Sequence, residues 1–205
     1  MDILIGAIVV VFVLIMGFRA FTGYSSYKGT LYQQLFSSYL EYFWRMSMQR
    51  DLSRSNYLQE RIGPHRIVYN AYRDGQGRIA ATFATVFSTR GHAAICAVAT
   101  SGAMAGKDTG SWTVERDGKR YALPSPVTYV RRQKKLLDGF LKGAPVEYII
   151  AFNAGTDTSG VACSYTVLTV DALVDHLAEK PEGAVSEADM MKAFETFKEM
   201  AAHAQ

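Results

Sequence analysis

The sequence is poor in the residue types that build stapled, metal-bound or highly charged proteins. Two cysteines, Cys96 and Cys163, in 205 residues cannot form a disulfide scaffold. Both lie in apolar β-like stretches, where a small core residue is the ordinary role. The four histidines, His65, His92, His176 and His203, are far apart, and no pair has zinc-ligand spacing. Charged residues make up 20% of the chain and the net charge is +3, too little to mark a nucleic-acid binder on charge alone. No repeat or low-complexity tract is present, and the 49% hydrophobic content excludes a disordered chain. The most local absence is sharper. Residues 79–89 contain no acid, and residues 91–106 contain no Asp, Glu, Lys or Arg, with His92 the only basic side chain.

Other absences exclude particular chemistries. The stretch TSGAMAGKDTG, residues 100–110, lacks GxxxxGK[ST] spacing and opens no helix, so it is not a phosphate loop. A Cys–His nucleophile built from Cys96 and His92 is excluded by reach. Four residues along a strand separate them by about 13 Å.

What the chain does have begins at its N-terminal end. Residues 3–18, ILIGAIVVVFVLIMGF, form an unbroken apolar run. As a helix it spans about 24 Å, and Ala20 and Phe21 extend it past Arg19, whose side chain can snorkel. No Lys or Arg precedes the run and the stretch GFRAFTG after it offers only a poor small-x-small site, so a retained anchor is expected over residues 1–22 rather than a cleaved signal. Asp2 precedes the run, whereas Arg19 and Lys28 follow it. The expected orientation is single-pass in a cell (inner) membrane, N-terminus outside and C-terminal domain cytoplasmic.

From Thr30 there is no Gly or Pro until Gly63-Pro64, so residues 23–63 are expected to hold one aromatic-rich linker helix. Leu31, Leu35, Tyr39, Tyr42 and Met46 fall at helical spacing, and Tyr32, Phe36, Leu40, Phe43 and Trp44 lie on adjacent or opposite sides. Two readings stay open. The helix packs on its own domain with its other side at the headgroups, or Tyr32, Phe36, Phe43 and Trp44 form a partner surface.

Residues 64–182 read as an α/β (α+β) domain with a mixed sheet. Strands are expected at 65–72 and 78–88 around a DGQG turn, and at 92–99. A flexible Gly/Ala loop at 100–110 and a strand pair around Asp117-Gly118 follow. Then come a helix at 127–143, strands at 146–155 and 161–170, and the segment DALVDHLAEK. Residues 183–205 close the chain as an amphipathic helix, with Ser186 as N-cap and a stripe of Met190, Phe194, Phe197 and Ala201.

This order resembles the αβββαβ core of the PD-(D/E)xK nuclease superfamily. More narrowly, VFSTRGHAAICAVATSG, GSWTVERDGKRYALPSP and VTYVRRQKKLLDGFL are similar in order and spacing to the nuclease-related domain (NERD) family. The likeness covers residues 65–180 and is carried by Gly91, Gly102, Trp112, Gly118, Lys119, Tyr121 and Pro126. The resemblance implies a catalytic Asp at or near Phe83 and a Glu-x-Lys at Cys96-Ala97-Val98. Such a nuclease needs converging carboxylates for a divalent metal and a lysine for water, and Phe, Cys and Val supply none of these. It therefore implies a pseudoenzyme with no metal and no cofactor.

One basic cluster remains. Arg131, Arg132, Lys134 and Lys135 share a helix, preceded by Arg116, Lys119 and Arg120. A solvated face, anionic lipid, an acidic partner and nucleic acid are all open, and the nearby anchor favours lipid over nucleic acid. The resulting expectation is a structural or adaptor subunit of a membrane-associated assembly, with the membrane and other membrane-associated proteins as partners. The alternatives are a membrane-tethered nuclease with relocated acids (Glu115, Asp117 or Glu147), or an unrelated anchoring component of a secretion or DNA-transfer machine.

Overall fold

The structure, a computed structural model, describes residues 2–28, 30–36, 38–49, 51–141 and 144–203. Helix α1 (Asp2–Tyr27) runs straight through Arg19 and one and a half turns beyond the expected anchor. Within it Ile5–Tyr24 is long and apolar enough to cross a membrane, and none of that window is buried against the rest of the chain.

The expected single linker helix is broken in three. Helix α2 spans Leu31–Leu35 and α3 spans Tyr39–Trp44, running on into a π-helical turn at Arg45–Gln49. After an irregular stretch, α4 spans Asn56–Ile62. Serines start the later pieces. Ser38 accepts from the Glu41 N–H and Ser55 from the Leu58 N–H, each satisfying an orphan donor of a new first turn. Packing explains the breaks. A straight helix of that length would run about 50 Å and present its apolar residues along a line. Folded back, the segment lays Leu31, Leu35, Phe36, Tyr42, Leu58 and Ile62 into one core.

The strands are β1 (His65–Arg73), β2 (Ile79–Ser88), β3 (Gly91–Val98), β4 (Ala103–Lys107), β5 (Trp112–Arg116), β6 (Lys119–Leu123), β7 (Val146–Phe152), β8 (Asp157–Ala162) and β9 (Thr166–Thr169). The remaining helices are α5 (Pro126–Asp138), α6 (Val170–Ala178) and α7 (Glu187–His203). A five-stranded mixed sheet has the order β1-β2-β3-β7-β9, with β1–β2 and β2–β3 antiparallel and β3–β7 and β7–β9 parallel. A four-stranded sheet has the order β6-β5-β4-β8. This is a mixed α/β domain carrying an N-terminal apolar helix.

Two sequence expectations change here. The Gly/Ala stretch at 100–110 is not all loop, because β5 and β8 flank it and complete the hydrogen bonding of β4. Its small residues serve packing. A Cβ on Gly106 would come within 2.2 Å of the Trp112 indole, so only glycine admits that ring. Trp112 is fully buried, stacks on Phe152 at 6.1 Å and donates to the Lys107 carbonyl. The strand expected at 161–170 divides into β8 and β9, which belong to different sheets and join them. The Asp117-Gly118 turn forms as expected, with φ values of 53° and 69° suited to a tight hairpin.

Strand alternation gives the five-stranded sheet two buried faces. Phe83, Phe87, Cys96, Tyr148, Ile150 and Phe152 face α5, α7 and Trp112. Ala84, Val86, Ile95, Ile149 and Ala151 face the broken linker and α6. On α7, Ser186 accepts from the Asp189 N–H and donates to its carboxylate, and Phe197 packs between Phe87 and Phe140. Arg90, in the β2–β3 turn, ties the layers together. Its guanidinium donates to the Ile62 and Ala178 carbonyls at the ends of α4 and α6, to Lys180 O at 2.5 Å, and to Glu182. A cation at two helix C-termini is favoured by both dipoles.

Candidate functional site

The three positions where the resemblance implies a catalytic set come together. Phe83 and Cys96 are directly opposite on β2 and β3. Val98, two residues on, points to the same face. Phe83 and Cys96 are both 1% exposed. Burial pushes the Cys96 thiol up to about 12, so it stays protonated at neutral pH. Beside them is a cleft of about 350 Å³, lined by residues such as Ile79, Thr82, Cys96, Leu123 and Tyr129 and by no Asp, Glu, Lys, Arg or His. The cleft can hold an apolar group. It offers no oxygen ligand set for a hard cation.

The acids named as substitutes are dispersed. Glu115 (on β5) and Asp117 belong to the four-stranded sheet, and Glu115 pairs with Arg120 across the hairpin at 3.5 Å. Glu147 lies on β7 of the other sheet. Its carboxylate accepts from Thr166 Oγ1 at 2.7 Å, from His176 Nε2 at 2.9 Å and from Lys180. Burial alone would raise its pKa. The bonds from Lys180, Thr166 and His176 outweigh that and hold it below the usual carboxylate value. Among the described residues, no group of three or more His, Cys, Asp or Glu side chains is placed to hold a metal ion.

The basic helix is partly committed. Arg132 lies over the Tyr72 ring at 4.5 Å, and Lys134 pairs with Asp138 at 2.8 Å and covers the Tyr148 ring. Arg131 and Lys135, one turn apart, are exposed. Between them sits a residue that sequence reasoning missed. Gln133 is fully buried, accepts from Tyr72 OH at 2.8 Å and Asn70 Nδ2 at 3.1 Å, and donates to Thr85 Oγ1 at 3.2 Å. Its phase with Val130 and Leu137, both on the buried side of α5, was the available signal.

The aromatic residues expected at a partner surface separate. Phe36 is 1% exposed and Phe43 8%, because the broken linker turns them inward. Tyr32 is half-buried against Tyr42 and Tyr69, with centroids 5.0 and 5.4 Å away. Only Trp44, 52% exposed, faces outward, together with Leu40 at 73%.

No family model, no curated protein and no solved structure matches this chain. The functional reading therefore rests on the geometry.

Proposed function

We propose that this chain is a bitopic membrane protein whose α/β domain has a nuclease-like, NERD-like fold with its catalytic positions converted to packing. It acts as a structural or adaptor subunit at the membrane. The observation that carries this reading is that Phe83, Cys96 and Val98, on one face of the β2–β3 pair, are all apolar and pack with the core. Their meeting itself follows from the register of the β2–β3 hairpin; the support is that the strand positions at which the resemblance implies Asp and Glu-x-Lys hold apolar side chains packed with the core. In a nuclease-like fold that has lost its acids, apolar side chains would fill these positions.

The anchor is α1, with the N-terminus outside, the domain in the cytoplasm and the inner membrane as host. The support is the exposed apolar window Ile5–Tyr24 and the placing of Arg19 and Lys28 after Asp2. Its partners are the bilayer and other membrane-associated proteins, with the Arg131/Lys135 face available to anionic headgroups.

The test is cleavage of labelled duplex and single strands by the full chain in mild detergent, with magnesium or manganese at high protein concentration. No cleavage is expected. Cleavage that disappears in Glu115→Ala, Asp117→Ala or Glu147→Ala would overturn the reading in favour of a tethered nuclease.

A further inference from the structure

Among the described residues, nothing covers the outward face of α3 and the π turn. Leu40, Trp44 and Met48, spaced four apart, are 73%, 52% and 50% exposed. Their neighbours are prepared for a dry surface. Glu41 and Arg45 pair at 2.9 Å with side chains only 10% and 14% exposed, and Asn56 satisfies both, donating its N–H to Glu41 and accepting from Arg45. Glu41 and Arg45 are the charged residues of α3 and the π turn, and they pair with each other.

The height of this segment along α1 is set by contacts. Tyr39 OH donates to the Ala20 carbonyl and stands directly over Gly23, the Met46 methyl closes on the same glycine, and the Tyr39 ring meets Tyr24 and Tyr27 at 5.2 and 5.3 Å. Ala20 and Gly23 lie inside the apolar window Ile5–Tyr24. That window is about 30 Å long, the thickness of a hydrocarbon core, and Ala20 is about 6 Å below its end at Tyr24. With Ile5–Tyr24 as the span, a segment docked at Ala20 and Gly23 meets the bilayer at the edge of its hydrocarbon core. It lies at the depth where interfacial helices bury an apolar face and where Tyr and Trp concentrate.

We propose that α3 and its π turn form a second membrane contact, inserting Leu40, Trp44 and Met48 into the headgroup–acyl boundary beside α1. This rests on α1 being the anchor proposed above. The occupant is lipid, because depth along the spanning helix, rather than apolarity alone, brings the face to the bilayer. The contact fixes how the domain sits. Because Tyr27 at the end of α1 is packed into the domain core, α1 and the domain move together, and a second contact limits how far that body can tilt in the bilayer.

The test uses the full chain in phosphatidylcholine–phosphatidylglycerol liposomes with no other protein. Trp44 emission is obtained by subtracting a Trp44→Phe sample, since the other tryptophan, Trp112, is fully buried. Lipids brominated near the top of the acyl chain should remove about half of the Trp44 emission, lipids brominated near the bilayer centre distinctly less, and aqueous acrylamide little, as a shallow site requires. Alkaline extraction of the same liposomes separates the two claims. Loss of the protein would remove the anchor itself. Retention with Trp44 open to acrylamide and untouched by either brominated lipid would overturn the second contact alone. A Trp44 that is wet in pure lipid but shielded in native membranes would assign the face to a protein partner and equally overturn the lipid contact.

Discussion

Replacing Gln133 by methionine should destabilise the domain, and replacing Thr85 by valine at the same time should restore most of the loss. Gln133 and Thr85 are both 0% exposed, and the Gln133 amide donates to the Thr85 hydroxyl at 3.2 Å. Its other partners, Asn70 and Tyr72, are only half-buried and can turn to water. Gln133→Met keeps the side-chain volume, so the cost is that of one stranded buried hydroxyl, about 1–3 kcal/mol. Thr85→Val alone leaves Gln133 Nε2 with only the 3.5 Å contact to Asn70 and should cost a similar amount, about 1–3 kcal/mol. In the double variant neither group is left wanting, and the loss should fall short of the sum by about 1 kcal/mol or more. For a chain of this size each kcal/mol moves the melting temperature by roughly 2–4 °C, so the coupling is measurable by near-UV circular dichroism of the full chain in mild detergent. If the two losses simply add, the buried network is not a unit and the reasoning fails.

Other consequences follow from the same packing. Cys96→Ser should cost about 1–3 kcal/mol by burying a hydroxyl in an apolar strand, and thiol reagents should label half-buried Cys163 well before Cys96; early labelling of Cys96 would contradict its 1% exposure. Gly106→Ala should cost about 1–3 kcal/mol or more by driving a methyl into Trp112, read as a lower melting temperature. Arg90→Lys should destabilise although charge is kept, because an ammonium cannot span the carbonyls of Ile62, Ala178 and Lys180 together; an unchanged melting temperature would refute it. Stability should also fall in mild acid. His65 accepts from the Ser55 N–H through Nε2 while its other nitrogen faces the Gly63 carbonyl, and burial holds its pKa below the ordinary 6.5, as burial does for His92. A depressed folded-state value means stability is full above about 6.5 and is lost as pH falls through the folded value, so melting temperature should drop between pH 7 and 5, less steeply in His65→Gln.

Some of this protein was written in its sequence because short-range rules suffice for it. The apolar run of α1, the Asp117-Gly118 turn and the Ser186–Asp189 cap each depend on a few adjacent residues, and each formed where those residues stand. The absence of charge from residues 79–89 and 91–98 likewise made β2 and β3 readable as buried strands. The tertiary structure decided whatever depends on a remote partner. The linker reads locally as one helix, yet it breaks at Ser38 and Ser55, since only a folded-back chain can lay Leu35, Phe36 and Leu58 on the sheet. The same turn hid Phe36 and Phe43 and left Leu40 and Trp44 outside. β4 is a strand between two partners, the nearby β5 and, more than fifty residues on, β8. Gln133 and Arg90 look like surface residues until Thr85 in one case, and the ends of α4 and α6 in the other, arrive to meet them. A backbone or polar side chain commits its hydrogen bonds to whatever group is delivered to it, and for these residues that delivery is made by the fold rather than by the neighbouring sequence.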